Sequence, residues 1–455
     1  MNHTFRTRKA DSGRPRRRRT RGEERPDLTV DVDSLPQIDA NHFDKMSATE
    51  LAKEAKKAKI SLDLPRNVVI EDLVARANPE EIYRKGVLEV LSDGWGFLRR
   101  DNYQPSGEDS YVSQNHIKKH GLRPGDSVFG LCRAPKEGEK YHGMLRVEMV
   151  NGHGTLSPET QTRRNFDSLT PLFPVEVLRQ ETTPDKIIGR IIDLISPIGK
   201  GQRALIVAPP KAGKTTILKS IANSVTENNP DVYLMVLLVD ERPEEVTDMR
   251  RSVKGQVISS TFDEPAENHM RVTDLCLEQA KRLVEDGRDV VVLLDSITRL
   301  SRASNLTINP SGRTLSGGLD PAALYRPRRF FGAARNIEEG GSLTIIATVL
   351  IETGSKMDDN IFEELKGTGN SEIVLDRDLA ERRIWPAINV RSSSTRHEEQ
   401  LLEKGQLDAV YHLHRILANS KDTVEATDQL IKLLKRMPNN AAFLESVIAK
   451  TRATV

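Results

Sequence analysis

The chain has 455 residues, two to four domains' worth, and a formal net charge of only +2. Its two cysteines, Cys132 and Cys276, argue against a disulfide framework and for a reducing, cytoplasmic compartment. The longest apolar run, Val232–Val239, lies between Asp231 and Asp240 and is far short of the ~20 residues of a membrane helix; an apolar secretory leader is also missing, so no membrane partner is expected.

The near-neutral total hides an uneven distribution. Residues 1–26 carry ten Lys/Arg against three acidic residues, a +7 arm on a body near −5. Residues 1–45 hold few large apolar side chains and are expected to be disordered, with nucleic acid, an anionic surface or water alone as the arm's surroundings. Residues 46–80 then read as a small helical module. Ser47-Ala48-Thr49-Glu50 has capping-box spacing, and Pro65 opens a second helix with Val69, Leu73 and Ala77 in register.

From Lys85 the apolar period changes to two. Residues 82–152 hold several short strands separated by Gly/Pro turns, the pattern of a small β-barrel of OB or cold-shock type. Alternation places Trp95 and Phe97 on one strand face. Their neighbours Gly94 and Gly96 are expected to leave the rings uncovered, beside Arg99 and Arg100. Core packing is the competing use for such a pair. In a chain only 4% aromatic, the Gly-Trp-Gly-Phe pattern followed by two arginines favours stacking on single-stranded nucleic acid.

Residues 153–180 read as a linker, and residues 181–455 as one large α/β region. Its expected strands are Ala204–Val207, Val232–Val239, Val257–Ser260, Val290–Leu294, Leu343–Leu350 and Glu372–Leu375. Their near-continuous apolar character implies a mostly parallel sheet covered on both faces. The first strand runs into Ala208-Pro209-Pro210-Lys211-Ala212-Gly213-Lys214-Thr215-Thr216, which is the second half of a P-loop with Ala at the first glycine position. Backbone N–H groups, the Lys214 ammonium and the Thr215 hydroxyl are suited to the phosphates of ATP and to Mg²⁺. The second strand ends at Asp240-Glu241, where Glu241 suits a general base. The fourth ends at Asp295, in the Walker B position for Mg²⁺. Phosphoryl transfer also needs arginine. Arg383 and Arg396 lie beyond the last strand, free to act in the same chain or across a subunit boundary. Trp385 suits either adenine stacking or core packing. The loop 309–318 is small, flexible and basic, it and the loop 352–358 are of the sort that could face a ring's central channel, and the turn Lys366-Gly367-Thr368-Gly369-Asn370 reads as a tight link between elements.

These runs, together with Pro197-Ile198-Gly199-Lys200-Gly201-Gln202-Arg203, Asp240-Glu241-Arg242-Pro243-Glu244-Glu245, Leu294-Asp295-Ser296-Ile297-Thr298-Arg299, Gly332-Ala333-Ala334-Arg335-Asn336 and Thr353-Gly354-Ser355-Lys356-Met357-Asp358, resemble the bacterial transcription termination factor Rho family over about residues 46–435. Ala208 is the family's form of the loop. The resemblance implies a RecA-type P-loop motor, a homohexameric ring, and an ATP-dependent, RNA-stimulated 5′-to-3′ RNA–DNA helicase that terminates transcription. Its implied partners are nascent single-stranded RNA, the RNA polymerase elongation complex and a Nus-type elongation factor. It further implies that Pro210, Lys211, Ala212, Gly213, Lys214, Thr215, Thr216, Arg242, Asp295 and Trp385 bind ATP, with Thr215 and Asp295 on Mg²⁺. Glu241 and Lys214 would be catalytic, and Arg396 and Arg383 would act on a neighbour's site. RNA would meet Trp95, Phe97, Arg99, Asp109, Tyr111, Glu139, Lys140 and Tyr141 on the barrel, then Arg313 and Lys356 in the ring's channel. Trp95 stands where Phe is common, and Arg313 where Lys is common. Two rivals remain at this stage: a rotary or export ATPase subunit, which gives no reason for the barrel, and an RNA-packaging protein with a vestigial nucleotide site.

Overall fold

The computed structural model describes residues 35–452 apart from Gln37 and Asp101. The Arg-rich stretch lies outside the described residues. The expected disorder to residue 45 is corrected at its end: Ala40–Asp44 form helix α1, with Asp39 as N-cap, and Phe43 is buried. Phe43 packs with Leu51 of α2 (Ala48–Lys57) and with Ile70 and Leu73 of α3 (Arg66–Ala77), enough apolar surface to hold one short turn in place. The capping box on α2 forms as read. The Ser47 N–H donates to Glu50 Oε2 at 2.9 Å, and the Glu50 N–H donates back to Ser47 Oγ.

The barrel follows. Its strands are β1 (Ile82–Val90), β2 (Gly96–Arg99) and β3 (Ser110–Val112), then β4 (Ser127–Arg133) and β5 (His142–Val150) after helix α4 (Gln114–Lys119), with a short β6 (His153–Gly154). The order β3-β2-β1-β4-β5 closes through β3–β5 pairing, and Leu88, Leu98, Val112 and Val147 fill the interior. The stretch 153–180 carries α5 (Pro158–Gln161) and β7 (Pro171–Leu172), with Phe166, Leu169 and Leu178 buried. Its first residues pack on β5 and α1, and from Phe166 on it is tied to the large region through Glu285, Glu339 and β12 rather than hanging between domains.

The large region begins with α6 (Ile187–Ile195), β8 (Arg203–Ala208) and α7 (Lys214–Asn228). It continues with β9 (Tyr233–Glu241), α8 (Pro243–Ser252), β10 (Gln256–Thr261), α9 (Ala266–Glu285), β11 (Asp289–Asp295) and α10 (Ile297–Thr307). Next come α11 (Tyr325–Gly332), β12 (Arg335–Ile337), β13 (Ser342–Leu350), α12 (Lys356–Lys366), β14 (Ser371–Val374), α13 (Arg377–Glu381) and β15 (Ser394–Thr395). Helices α14 (Lys404–Ala418), α15 (Thr423–Leu434) and α16 (Asn440–Arg452) close the chain. The strand order is β10-β9-β11-β13-β8-β14, all parallel, with β15 antiparallel at the edge.

The two cores explain the unbroken apolar strands. Ile206, Val236 and Leu293 face the core formed with α6, α7 and the last three helices. Their neighbours Val207, Leu237 and Leu294 face the core under α9, α10 and α11. Both faces are dry, so every strand position must be apolar. The barrel docks beside α9. Tyr103 is fully buried, its hydroxyl donating to Gln279 and accepting from Gln256 Nε2, and Arg123 pairs with Glu285 at 2.6 Å.

Candidate nucleotide site and RNA-contacting surfaces

Three carboxyl ends of strands converge at one edge of the sheet, where ligands of open α/β sheets bind. The loop after β8 ends at Gly213, whose φ of +87° suits glycine, and α7 starts with no side-chain cap. Its first N–H groups therefore face outward. A Cβ on Gly213 would stand 3.0 Å from the Trp385 ring, so the loop and the indole form a narrow cradle. Trp385 is 43% exposed and is not core packing.

Glu241 reaches this edge because β9 is bulged. Val239 pairs with Ser260 and Glu241 with Thr261, so Asp240 is skipped, at φ +57°. The extra residue turns the Glu241 side chain inward to 3% exposure and leaves Asp240 partly exposed. Asp295 ends β11 and is likewise buried. The Lys214 ammonium sits between them, 2.9 Å from Glu241 Oε1 and in close contact with Asp295 Oδ1. Burial opposes the Lys214 charge, yet Asp295 and Glu241 more than offset it and hold the ammonium above the usual lysine range. Burial, then the charge of Asp295, pushes the Glu241 carboxyl up, against the pull of Lys214 and Arg299. The Thr215 hydroxyl, one residue along the same helix, completes a set suited to a phosphate-bound Mg²⁺: one carboxylate, one hydroxyl and outward N–H groups.

Sequence reasoning missed three members of this site. The Arg299 Nη1 donates to Asp240 Oδ2 at 3.0 Å, and its Nε lies 3.6 Å from Glu241 Oε1. The Thr348 hydroxyl donates to Asp295 Oδ1 at 2.7 Å from β13, the strand between Asp295 and the P-loop strand. Asp240 is the third. The readable signal for Arg299 was its place in the first turn of the helix that starts just after Asp295. Thr348 carried none, because only the strand order brings it to the site.

The other expected residues fall into separate places. Lys211 and Thr216 are exposed on the loop and the first turn, flanking the half-buried Thr215, and Arg242 is exposed at the start of α8. Arg383, at φ +61°, is two residues before Trp385, at the P-loop end of the sheet. Arg396 is at the opposite end. Its N–H donates to the Asn370 carbonyl at 2.8 Å, and the Asn370 N–H donates to the Arg203 carbonyl. Arg203 precedes Ala208 by five strand residues, about 16 Å. Arg396 is therefore remote from its own P-loop.

On the barrel, Trp95, Phe97, Tyr111 and Tyr141 come together as one cluster, with ring centroids 4.8–5.4 Å apart for Phe97–Tyr141, Trp95–Phe97 and Trp95–Tyr111. The expectation of uncovered rings is corrected: the four are 0–6% exposed. The glycines serve the backbone instead. Gly94 takes φ +81°, and a Cβ on Gly96 would stand 2.4 Å from the Glu89 carbonyl oxygen. Arg99 is also corrected as a free phosphate contact. It is 1% exposed, lies 4.7 Å from the Phe97 ring centre, and pairs with Glu89 and Asp109, each at 2.6 Å. Glu139 is paired with Arg133, whereas Lys140 is exposed over the Tyr141 ring. The loop bearing Arg313 packs against the start of α12, where Lys356 is the first residue. A Cβ on Gly317 would stand 2.5 Å from the Met357 nitrogen, and Asn360 donates to the Ser316 carbonyl. Both cationic side chains are exposed.

Residues 84–155 match the Rho termination factor RNA-binding domain family, and residues 189–395 match the nucleotide-binding domain of the ATP synthase alpha/beta family. Transcription termination factor Rho of Bacillus subtilis (strain 168) is 52% identical over 417 residues, covering 90% of this chain and 96% of that protein. The Aquifex aeolicus (strain VF5) factor of the same name is 55% identical over 373 residues, covering 81% of this chain and 85% of its own. Among solved structures, an ATPase from a bacterial type III secretion system superposes with a TM-score of 0.51 at 22% identity, covering 65% of this chain and 92% of that one, a likeness of fold. Among the described residues, no helix is long and apolar enough to cross a membrane.

Proposed function

This chain belongs to the transcription termination factor Rho family, and from that premise we propose how its residues perform the family's work. It is an RNA-binding, RNA-dependent ATPase and helicase of transcription termination. The observation that carries the residue-level reading is the Lys214 ammonium held between Glu241 and Asp295 beside an uncapped helix start. The outward N–H groups and Lys214 bind the phosphates of ATP, and an incoming γ-phosphate competes with Glu241 for the ammonium. Glu241, released from that pair, orients the attacking water and accepts its proton. Thr215 and Asp295 would hold Mg²⁺, which neutralises charge on the β- and γ-phosphates. Trp385 packs on the adenine, and Arg242, at the start of α8, closes the outer side of the phosphates. Thr348 and Arg299 hold Asp295 and Glu241 in place.

Arg396 serves a neighbouring copy of the chain, and its distance from its own P-loop supports that reading. Arg383, two residues before Trp385 at the P-loop end, is the second arginine assigned to the γ-phosphate. The working unit is then a homohexameric ring, closed by repeating one heterologous contact. The barrel captures nascent RNA through the edges of the Trp95–Phe97–Tyr111–Tyr141 cluster, with Arg99 and Asp109 as its floor and Lys140 beside it. Arg313 and Lys356, on loops packed together, grip the backbone in the channel and move with hydrolysis, drawing RNA through 5′ to 3′ until the RNA polymerase elongation complex, with a Nus-type factor, releases the transcript.

ATP turnover measured with a panel of homopolymeric RNAs tests the reading. Stimulation by poly(C), strongest at low salt and abolished by Lys214→Ala, is expected. Turnover indifferent to RNA would place the motor with the rotary and export ATPases instead.

A further inference from the structure

The turn Gly367-Thr368-Gly369-Asn370 and the exposed apolar stretch Leu172-Phe173 have no part in the nucleotide chemistry, yet they flank Arg396, the turn at its N–H and Phe173 at its neighbour His397. We infer that Phe173 is a positioning residue for Arg396: its ring, packed against that of His397, fixes the turn that carries the arginine toward a neighbouring subunit. This rests on the reading of Arg396 as the arginine acting in trans.

Arg396 is exposed and makes no ion pair among the described residues, so no carboxylate sets its direction. Arg203 lies beside it, its own Nη1 donating to the Ala334 carbonyl next to Arg335. Arg203 is held below the usual arginine range by burial first, then by the charges of Arg335 and Arg396. Three arginines crowded without an acid drive the exposed one outward. What aims Arg396 must then be its backbone.

That backbone is anchored on both sides. Before it, the Arg396 N–H is held by the Asn370 carbonyl at 2.8 Å. The Asn370 Oδ1 accepts from the Arg203 N–H at 2.8 Å and from Gln202 Nε2 at 2.7 Å, tying the turn to the start of β8. After it, His397 takes φ +58°, a region that disfavours a residue with a Cβ. Two contacts oppose that cost. His397 Nδ1 meets Glu399 Oε1 at 3.1 Å, and its ring lies 5.1 Å from that of Phe173, tilted by 52°.

Phe173 itself stands on a fixed base. Pro171–Leu172 pairs with β12, Val177 bridges Gly199, and a Cβ on Gly199 would stand 2.7 Å from Pro174. At 56% exposure the ring is not core. The same connector leads back to the barrel, so the segment that joins RNA capture to the motor also braces the arginine.

The test is steady-state ATPase on full-length, RNA-bound rings of four variants: Phe173→Ala, Phe173→Tyr, Arg396→Ala and the Phe173→Ala/Arg396→Ala double variant, with ring mass measured for each. Phe173→Ala is expected to keep the hexamer and the KM for ATP while kcat falls about ten- to a hundredfold, the scale of a misplaced catalytic group. Phe173→Tyr, which keeps the ring, should restore kcat. The double variant should be no slower than Arg396→Ala alone. Normal turnover in Arg396→Ala would overturn the underlying reading and this proposal with it. An inactive Arg396→Ala beside a normal Phe173→Ala would overturn only the proposal. So would a Phe173→Ala ring that falls apart, or a further loss in the double variant.

Discussion

Lys214, Glu241 and Asp295 form a site that is electrostatically closed before any phosphate arrives. One cation faces two buried carboxylates, and Arg299 supplies the second positive charge that Glu241 feels. This makes a pH prediction with a definite sign. A base must be deprotonated, so the acid limb of kcat/KM, which reports the free enzyme, should lie above the ordinary glutamate range of about 4.3. Arg299→Gln removes a charge that pulls the Glu241 carboxyl down, so that limb should move further up and turnover on the acid side should fall. A pH profile of kcat/KM for both proteins decides it; coincident acid limbs would show that Arg299 does not act on Glu241. On the barrel, Arg99 is a brace: bound to Glu89 and Asp109 under Phe97, it is fully engaged before RNA arrives. Without Arg99, among the described residues, buried Asp109 keeps only the Ser106 N–H and hydroxyl and Glu89 only Arg271 at 3.4 Å, a broken buried pair that costs up to about 3–5 kcal/mol. Arg99→Ala should therefore lower the barrel's thermal midpoint as well as its RNA affinity, whereas Lys140→Ala should lower affinity alone, a contrast that scanning calorimetry beside RNA titration would register.

Two elements transmit what these residues do. The bulge in β9 adds one residue to a strand and thereby aims Glu241 at the nucleotide instead of the core. The contact between the Arg313 loop and α12 depends on one glycine. Gly317 has φ +79°, and its missing Cβ leaves room for the backbone of Lys356 and Met357, which cannot yield as a flexible side chain would. Gly317→Ala costs about 1–2 kcal/mol in backbone conformation alone, and the clash adds to it. The expected result is parted loops: RNA capture by the barrel persists, and stimulation of ATPase by RNA falls at least about tenfold. Filter binding of labelled poly(C) beside ATPase assays separates the two; unchanged stimulation would mean that the loops work independently.

At the scale of the whole molecule, the sheet puts the two halves of catalysis at opposite ends. The P-loop, Glu241 and Asp295 occupy the carboxyl ends of parallel strands, while β15 runs back antiparallel and leaves Arg396 beside Arg203, at an amino end. One chain therefore holds a nucleotide site without its Arg396 and an arginine without a site. Rings of Lys214→Ala alone and of Arg396→Ala alone should both be inactive, but rings assembled from a mixture should regain part of the turnover. A Lys214→Ala subunit still lends its arginine, and an Arg396→Ala subunit still offers an intact P-loop. Inactivity of the mixture across all ratios, with ring mass intact, would mean that Arg396 acts within its own chain.

Local chemistry was legible from the chain alone. The capping box at Ser47 and Glu50, the six strands of the motor and the P-loop, Glu241 and Asp295 as strand-end residues all follow from periodicity, caps and short-range spacing, because each depends on residues within a few positions of one another. The family, too, was readable from contiguous runs. What needed tertiary structure were the relations between distant segments: that Gly94 takes a left-handed turn and Gly96 makes room for the Glu89 carbonyl while the aromatic rings bury one another, that Arg99 is bound by Glu89 and Asp109, and that Thr348 reaches Asp295. The side on which Arg396 stands belongs with these. A residue type states which charge or ring is available; strand order and direction decide what it faces, and those are settled by how two dry cores are filled on either side of one sheet.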